Sequence, residues 1–511
     1  MEPSPLLPGT TGGADRLFGS VPARAARTAL EFAGRAVTYC DLDGLSARFA
    51  AGLSAKGIAS GDTVAIRMPS CPEMVAAILG TFRAGAVALP VNPTLTPEET
   101  SHILTDSGAK LTIGRTDSQP EEAQSTFEEI LGGAAEGTRP RDRAGHEATA
   151  LLLYTSGTSG RSKGVEHSLR SVISNLSAVM DLWRVTESDR VVVALPLFHI
   201  HGLGLGVIGP LLSGATVLLH ERFEARRVVS SFAREGATLF MGVPTMYVRI
   251  LDELRRDPAA AAPLAKGRLF TSGSAPLPAP DFEAFRQATG HAVLERYGMT
   301  EALFTLSNPY EGERRPGSVG LPVPGCEIRI VDEEERDVPF GSAGELLVKG
   351  RGLMTRYRGR PEETAASFRG GWFATGDVAS QAADGYVTLH GRKALDFIKS
   401  GGYRISTREV EEILSRHPRV REVAVVGLPD RDRGQRVVAA VTLHTGPASG
   451  GASGPETTSV DAELAALAES SLAPYKRPRE IFVLDELPRN SLGKVQKPLL
   501  SQRLAKGSKE G

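Results

Sequence analysis

Between residues 37 and 114, and again between 148 and 298, short apolar runs alternate with stretches whose apolar residues recur every three or four positions. This rhythm constrains the chain more than any other feature. Buried strands separated by amphipathic helices fold as an α/β layer with a mostly parallel sheet. In the first series VTYCDLDGLSARFAAGLSAKG feeds a strand end into a helix, and DTVAIRM is a short strand. PEMVAAILGTFRAG is a helix that starts near Pro72 and stops at Gly85, AVALPVN is a strand, and KLTIG closes the set. Thr96 before Pro-Glu-Glu has the form of an N-cap followed by early acids. The second series puts strands at 191–197, 215–220, 237–243, 268–274 and 292–298. Between the two series, residues 115–147 are polar and read as a surface excursion around a short helix.

At 511 residues the chain exceeds one ordinary core, and the expected architecture is α/β with a second, smaller domain. Residues 1–392 form the large N-terminal domain, with two α/β subdomains and a small β-rich subdomain after about residue 310 (CEIRIVDEE, GELLVKG, GYVTLHG). Residues 393–511 suit a small α+β domain, with a helix at 407–416, strands at 422–428 and 437–443, and a helix at 461–471. The low-complexity GPASGGASGPETTS at 446–459 reads as a mobile loop, and the final KGSKEG as a frayed tail. Lys plus Arg, 59, nearly balance Asp plus Glu, 60, so nothing in the charge draws the chain to nucleic acid or an anionic membrane. Three cysteines, none in a CxxC pair, argue against a disulfide framework or a zinc site. No apolar run approaches the ~20 residues of a membrane helix, and the start lacks a secretion signal, so a cytoplasmic location is expected.

The first chemistry-bearing segment follows the apolar run 148–154, in LLLYTSGTSGRSKG. Thr155, Ser156, Gly157, Thr158, Ser159 and Gly160 allow backbone N–H groups and hydroxyls to approach a polyanion, and Lys163 adds charge. A triphosphate is the obvious guest, although Gly164 after Lys163 rules out a Walker A ending. A solvated Ser/Gly linker would share this composition. Polar, aromatic or glycine groups also cluster just after the later strands: His199-Ile-His201-Gly202, Pro244-Thr-Met-Tyr247, Ser272-Gly-Ser-Ala275 and Tyr297-Gly-Met-Thr-Glu301. Ligands of open α/β sheets bind beyond the carboxyl ends of the strands, so these clusters point to one site.

Together with Trp372-Phe-Ala-Thr-Gly-Asp377, Gly391-Arg392, Ser400-Gly-Gly-Tyr403 and Pro488-Arg-Asn-Ser-Leu-Gly-Lys494, these motifs match in order and spacing those of the adenylate-forming family, which includes acyl-CoA synthetases. The resemblance implies a carboxylic acid, ATP and CoA as reactants, with Mg²⁺ as the metal. The carboxylate attacks the α-phosphate to give an acyl-adenylate and pyrophosphate, then a thiol displaces AMP. By the same resemblance Lys494, Thr300, Glu301 and His199 are the catalytic group. Lys494 bridges the carboxylate and the α-phosphate region, Thr300 donates to the α-phosphate, and Glu301 holds Mg²⁺. Asp377 accepts from the ribose hydroxyls, Arg392 braces ribose or phosphate, and Tyr297 stacks on adenine. Gly273, Ser274 and Ala275 leave room for the ring, with Gly298 and Met299 completing the nucleotide site. Ser400, Gly401 and Gly402 are assigned to CoA. The C-terminal domain is expected to be a mobile lid that swings on a hinge at 391–399, where Ala394 replaces the Asp or Lys of many members.

The acid is read from LPLFHIHGLGLG (195–206) and GVPTMYVRI (242–250), which look most like malonyl-CoA synthetases. The resemblance places the substrate against His199, Arg249, Ser272 and Met299, with the Arg249 fork taking a second carboxylate of malonate or methylmalonate. One departure stands against malonate: Ala302-Leu-Phe-Thr-Leu306 replaces a Met-Asn pair. Another is from the wider family: Gly164-Val-Glu-His-Ser-Leu169 lacks the small-polar-plus-His order common after the phosphate loop. The alternatives are an aryl or aliphatic acid handed to a carrier-protein thiol, or an unusual anion such as nitrite activated to derivatise an amine.

Overall fold

The expected alternation is realised as two sheets that share one apolar interior, followed by a third, smaller sheet near the C-terminus. The computed structural model describes Leu17 and residues 24–115, 124–133, 147–155, 162–392, 397–400, 403–430, 433–444, 460–490 and 493–507. The segment 446–459 and the last residues of the tail lie outside that set.

In the first sheet the strands Thr149–Thr155, Val87–Pro90, Thr63–Ile66, Ala109–Gly114 and Ser125–Thr126 run parallel in that order. Lys163–Ser168 and Arg356–Tyr357 extend it antiparallel. The helices between them start where sequence chemistry says they should. Thr96 and Glu99 close a reciprocal capping box on Pro97–Ser107, and Pro72 occupies the first position of Pro72–Arg83.

The second sheet carries 14 strands among the described residues. Thr28–Phe32, Thr216–Leu219, Arg190–Val193, Leu239–Gly242, Leu269–Ser272 and Leu294–Met299 are its parallel part. Strand Arg190–Val193 is shorter than the apolar run at 191–197, because Pro196 has no N–H for a ladder and the chain turns there. A wide helical turn over His201–Ile208 follows, packed so closely that a Cβ at Gly202 would lie 2.3 Å from the Pro196 carbonyl oxygen. The β-rich part after residue 310 is an antiparallel continuation of this same sheet. Ser318–Pro322 pairs with Leu303–Ser307 on one side and with Val387–Arg392 on the other.

Helix Leu169–Leu182 packs in the shared interior and holds the strand Leu303–Ser307 by polar bonds at two points. The Asn175 amide donates to the Phe304 carbonyl at 2.8 Å and accepts from the Phe304 N–H at 3.2 Å, while the Trp183 indole donates to Ser307 at 2.9 Å. Trp183 and Tyr247 are fully buried, and the Tyr247 hydroxyl donates to the Thr271 carbonyl at 2.8 Å. Each aromatic thus removes a large apolar surface from water while satisfying its polar tip.

The C-terminal sheet orders Tyr403–Ser406, Phe397–Ser400, Gly434–Leu443 and Val420–Asp430, with Glu480–Val483 added parallel to Gly434–Leu443. Two separate apolar clusters cover its faces: Val410, Leu414 and Leu464 on one, Leu487, Leu500 and Leu504 on the other. The chain is therefore α/β with a large N-terminal domain and a small C-terminal one that owns its core.

Burial also sets how stability depends on pH. Desolvation lowers the pKa of His167, His199 and His220 to about 4, and that of His201 well below the usual value. Unfolded histidines take up protons near pH 6.5, so the unfolded state binds more protons throughout the window from 6.5 down to about 4. Stability falls as pH is lowered through that window, by about 1.4 kcal/mol per pH unit for each histidine. Burial raises Glu295 to about 7 and Asp281 to about 6, which opposes the trend. The four histidines outnumber the two carboxyls, so the denaturant midpoint is expected to fall steadily between pH 6.5 and 4.5. A flat profile would contradict the neutral, buried histidines.

Candidate functional site

The carboxyl ends of the parallel strands in the second sheet carry the clusters singled out in the sequence, and the structure brings most of them together. At one end Tyr297, Asp377 and Arg392 form a bonded triad. Asp377 and Arg392 face each other across paired strands, and Arg392 Nε lies 2.9 Å from Asp377 Oδ1. The Tyr297 hydroxyl donates to Asp377 Oδ2 at 2.5 Å. Both carboxylate oxygens thus hold an internal partner, and a carboxylate retains lone pairs beyond these for ribose hydroxyls. Asp377 is only 7% exposed, which fixes its orientation.

The same strand runs on through Gly298 and Met299 to Thr300 and Glu301. Three bonds hold this corner. The Thr300 carbonyl is 2.6 Å from His167 Nε2, the Glu301 carbonyl accepts from the Met354 N–H at 2.7 Å, and Glu301 Oε1 accepts from the Tyr357 hydroxyl at 3.1 Å. Thr155 and Lys163, which flank the phosphate loop, pair across adjacent antiparallel strands. Ser156, Gly157, Thr158, Ser159 and Gly160 lie outside the described residues. Lys163 forms an ion pair with Glu363, and its Nζ sits 5.5 Å from the centre of the Tyr357 ring. Lys163 and Glu301 therefore meet around one tyrosine.

Around Ser272-Gly-Ser-Ala275 a second group of polar side chains gathers. Ser274 adopts a left-handed φ of 67°, and its Oγ is 3.3 Å from His201 Nδ1. The space that Gly273 leaves open is taken by the Arg296 guanidinium, since a Cβ at Gly273 would lie 2.6 Å from Arg296 Cζ. Arg296 is 4% exposed and packs over the Phe304 ring at 4.9 Å. Among the described residues no carboxylate pairs with it, and its Nε and Nη2 have no hydrogen-bond partner. Burial alone pulls its pKa down to about 9, and its charge helps depress His201. His201 Nε2 and Ser272 Oγ are buried without a partner in the same region. His199 is recessed and kept neutral by burial. Arg296 carries only a faint signal in the sequence: an arginine beside Glu295 in a buried strand, one position from the tyrosine of a motif.

Arg249 is on a different element, a helix. It is exposed on the helix Pro244–Arg256, and helical spacing puts it on one face with Thr245 and Asp252. That face meets the C-terminal domain. Asp252 lies 3.5 Å from Arg421, and a Cβ at Gly493 would lie 2.7 Å from Thr245 Oγ1. The loop bearing Lys494 is thus docked over the start of this helix. Gly493 has φ 76°, and the Lys494 N–H donates to Asn490 Oδ1 at 2.9 Å, which leaves the Lys494 side chain on an exposed residue. Ser400 is buried, while Gly401, Gly402 and Ala394 lie outside the described residues.

Comparison with known proteins identifies the family. A model of the AMP-binding enzyme family matches residues 19–358, and a model of the AMP-binding enzyme C-terminal domain matches residues 409–494. A malonate–CoA ligase of Arabidopsis thaliana is 34% identical over 489 residues, covering 88% of this chain and 79% of that protein. A feruloyl-CoA synthase of an Amycolatopsis species is 36% identical over 505 residues, covering 95% and 99%. The crystal structure of ATP-bound MatB from Rhodopseudomonas palustris superposes with a TM-score of 0.88 at 35% identity, covering 96% of this chain and 98% of that one. The chain belongs to the AMP-binding enzyme family and is an ATP-dependent, AMP-forming acid–CoA ligase.

Proposed function

We propose that the acid is a short dicarboxylate, malonate or methylmalonate, and that Arg296 receives its second carboxylate. The observation that carries this reading is a buried guanidinium with no counter-ion among the described residues, beside Gly273, Ser272 and His201. An isolated charge held out of water is costly, and an incoming carboxylate offsets that cost. Arg249 offers no such gain, because it is exposed and already hydrated. The clamp proposed here is therefore Arg296, with Arg249 facing the lid.

In this reading one substrate carboxylate is fixed by Arg296, which leaves the other to attack the α-phosphorus of ATP as pyrophosphate leaves. Lys494 supplies positive charge between the two reacting anions, and Thr300 donates to the α-phosphate. The Asp377–Arg392–Tyr297 triad holds the adenosine end. The thiol of CoA then attacks the acyl carbon and AMP departs, with Ser400, Gly401 and Gly402 assigned to CoA. The donor set fits Mg²⁺, which binds through one or two carboxylates together with substrate phosphates. Glu301, oriented by Tyr357, would hold it, and the ion would supply neutralisation of phosphate charge. Residues 1–392 are proposed as the adenylating body and 393–511 as the lid.

A second reading, an aryl or aliphatic acid, draws on the buried wall of Ala302, Leu303 and Phe304 and on the feruloyl-CoA synthase relative. Pyrophosphate release from the purified protein against malonate, methylmalonate, acetate, benzoate, coumarate and nitrite, with CoA, a carrier protein or an amine as acceptor, separates these. Release with malonate or methylmalonate and formation of its CoA thioester are expected. Silence with dicarboxylates and a response to aryl or aliphatic acids would discard the clamp while keeping the adenylation chemistry.

A further inference from the structure

The departure after the phosphate loop, Glu166-His167-Ser168-Leu169, finds a use in the structure. His167 is fully buried on the strand Lys163–Ser168, and its side chain shares a strand face with that of Lys163. Its Nε2 lies 2.6 Å from the Thr300 carbonyl oxygen. A carbonyl only accepts, so Nε2 carries the proton and the ring is a donor. Nδ1 faces Ser171 Oγ at 3.3 Å, and that hydroxyl itself donates to the Ser168 carbonyl at 2.9 Å. Burial keeps the ring neutral at working pH, with a pKa lowered to about 4. The imidazole therefore ties the strand that leaves the phosphate loop to the backbone of the Thr300-Glu301 pair.

We propose that His167 is a positioning residue for adenylation, holding the Thr300 backbone so that the Thr300 hydroxyl faces the triphosphate. This rests on the role given above to Thr300. His167 touches no reactant and acts through Thr300 alone.

The test compares His167→Gln, whose amide N–H reaches the position of Nε2, with His167→Asn, which is too short, and His167→Leu, which has no donor. Acid-dependent exchange of pyrophosphate into ATP is measured for each alongside thermal unfolding. The donor-less variants are expected to lose about tenfold in kcat, the effect of one lost hydrogen bond, with KM for the acid unchanged. His167→Gln is expected to stay near the wild-type rate. In Thr300→Ala, adding His167→Asn is expected to cost nothing further, because the group being positioned is gone. Equal losses in the Gln and Asn variants, or an additive double variant, would overturn the proposal and leave His167 a packing residue. Unchanged exchange in Thr300→Ala alone would instead remove the role of Thr300, so the two failures are distinguishable.

Discussion

Lys494→Ala is expected to lower acid-dependent exchange of pyrophosphate into ATP by on the order of 10³-fold, while thermal unfolding stays where it is. The first half-reaction forces a carboxylate against a polyphosphate. Positive charge placed between them stabilises the transition state more than it stabilises either anion alone. The loop that carries Lys494 is built to deliver it: Gly493 takes φ 76°, Asn490 caps the turn, and the loop abuts Thr245 at the start of the helix that borders the site. The residue is exposed, and the neighbouring core of Leu500 and Leu504 is untouched by the change, so folding should not suffer. Thioester formation from a synthetic acyl-adenylate is expected to proceed near the normal rate in the same variant. Normal exchange in Lys494→Ala would refute the lysine's role.

Arg296→Met should cut kcat/KM for malonate by on the order of 10²- to 10³-fold, the scale of removing one partner of a desolvated ion pair. The effect on stability has the opposite sign. In the free protein Arg296 is a buried charge without a carboxylate partner among the described residues, so an apolar side chain of similar length is expected to raise the unfolding midpoint. A monocarboxylate such as propionate, which has no use for the guanidinium, should gain relative to malonate. Arg249→Ala, by contrast, is expected to change kcat/KM for malonate less than about threefold, because an exposed cation is screened by water. A loss in Arg249→Ala as large as that in Arg296→Met would return the clamp to Arg249.

The alternation of strand and helix was legible because each element satisfies its own local rules. Thr96 caps its helix, Pro72 opens one, and the apolar runs at 63–66 and 87–90 are wholly buried strands. Asp377 and Arg392 were equally legible as motif residues, and the structure pairs them directly. What local pattern could not show was partnership between distant segments. The joining of strands 318–322 and 387–392 to the second sheet depends on pairings across tens of residues. The role of His167 depends on a carbonyl 133 positions away. Arg296 looked like one arginine among many. Only its burial beside Gly273, with no acid among the described residues to answer it, sets it apart from Arg249, whose motif was the more visible of the two.

The most direct test of the account is a crystal structure with a non-hydrolysable malonyl-adenylate analogue. The free carboxylate of the analogue is expected to be bound by two Arg296 nitrogens at about 2.7–2.9 Å, with the ribose against Asp377. A distal carboxylate paired with Arg249 or left in solvent, with Arg296 still unpartnered, would contradict it.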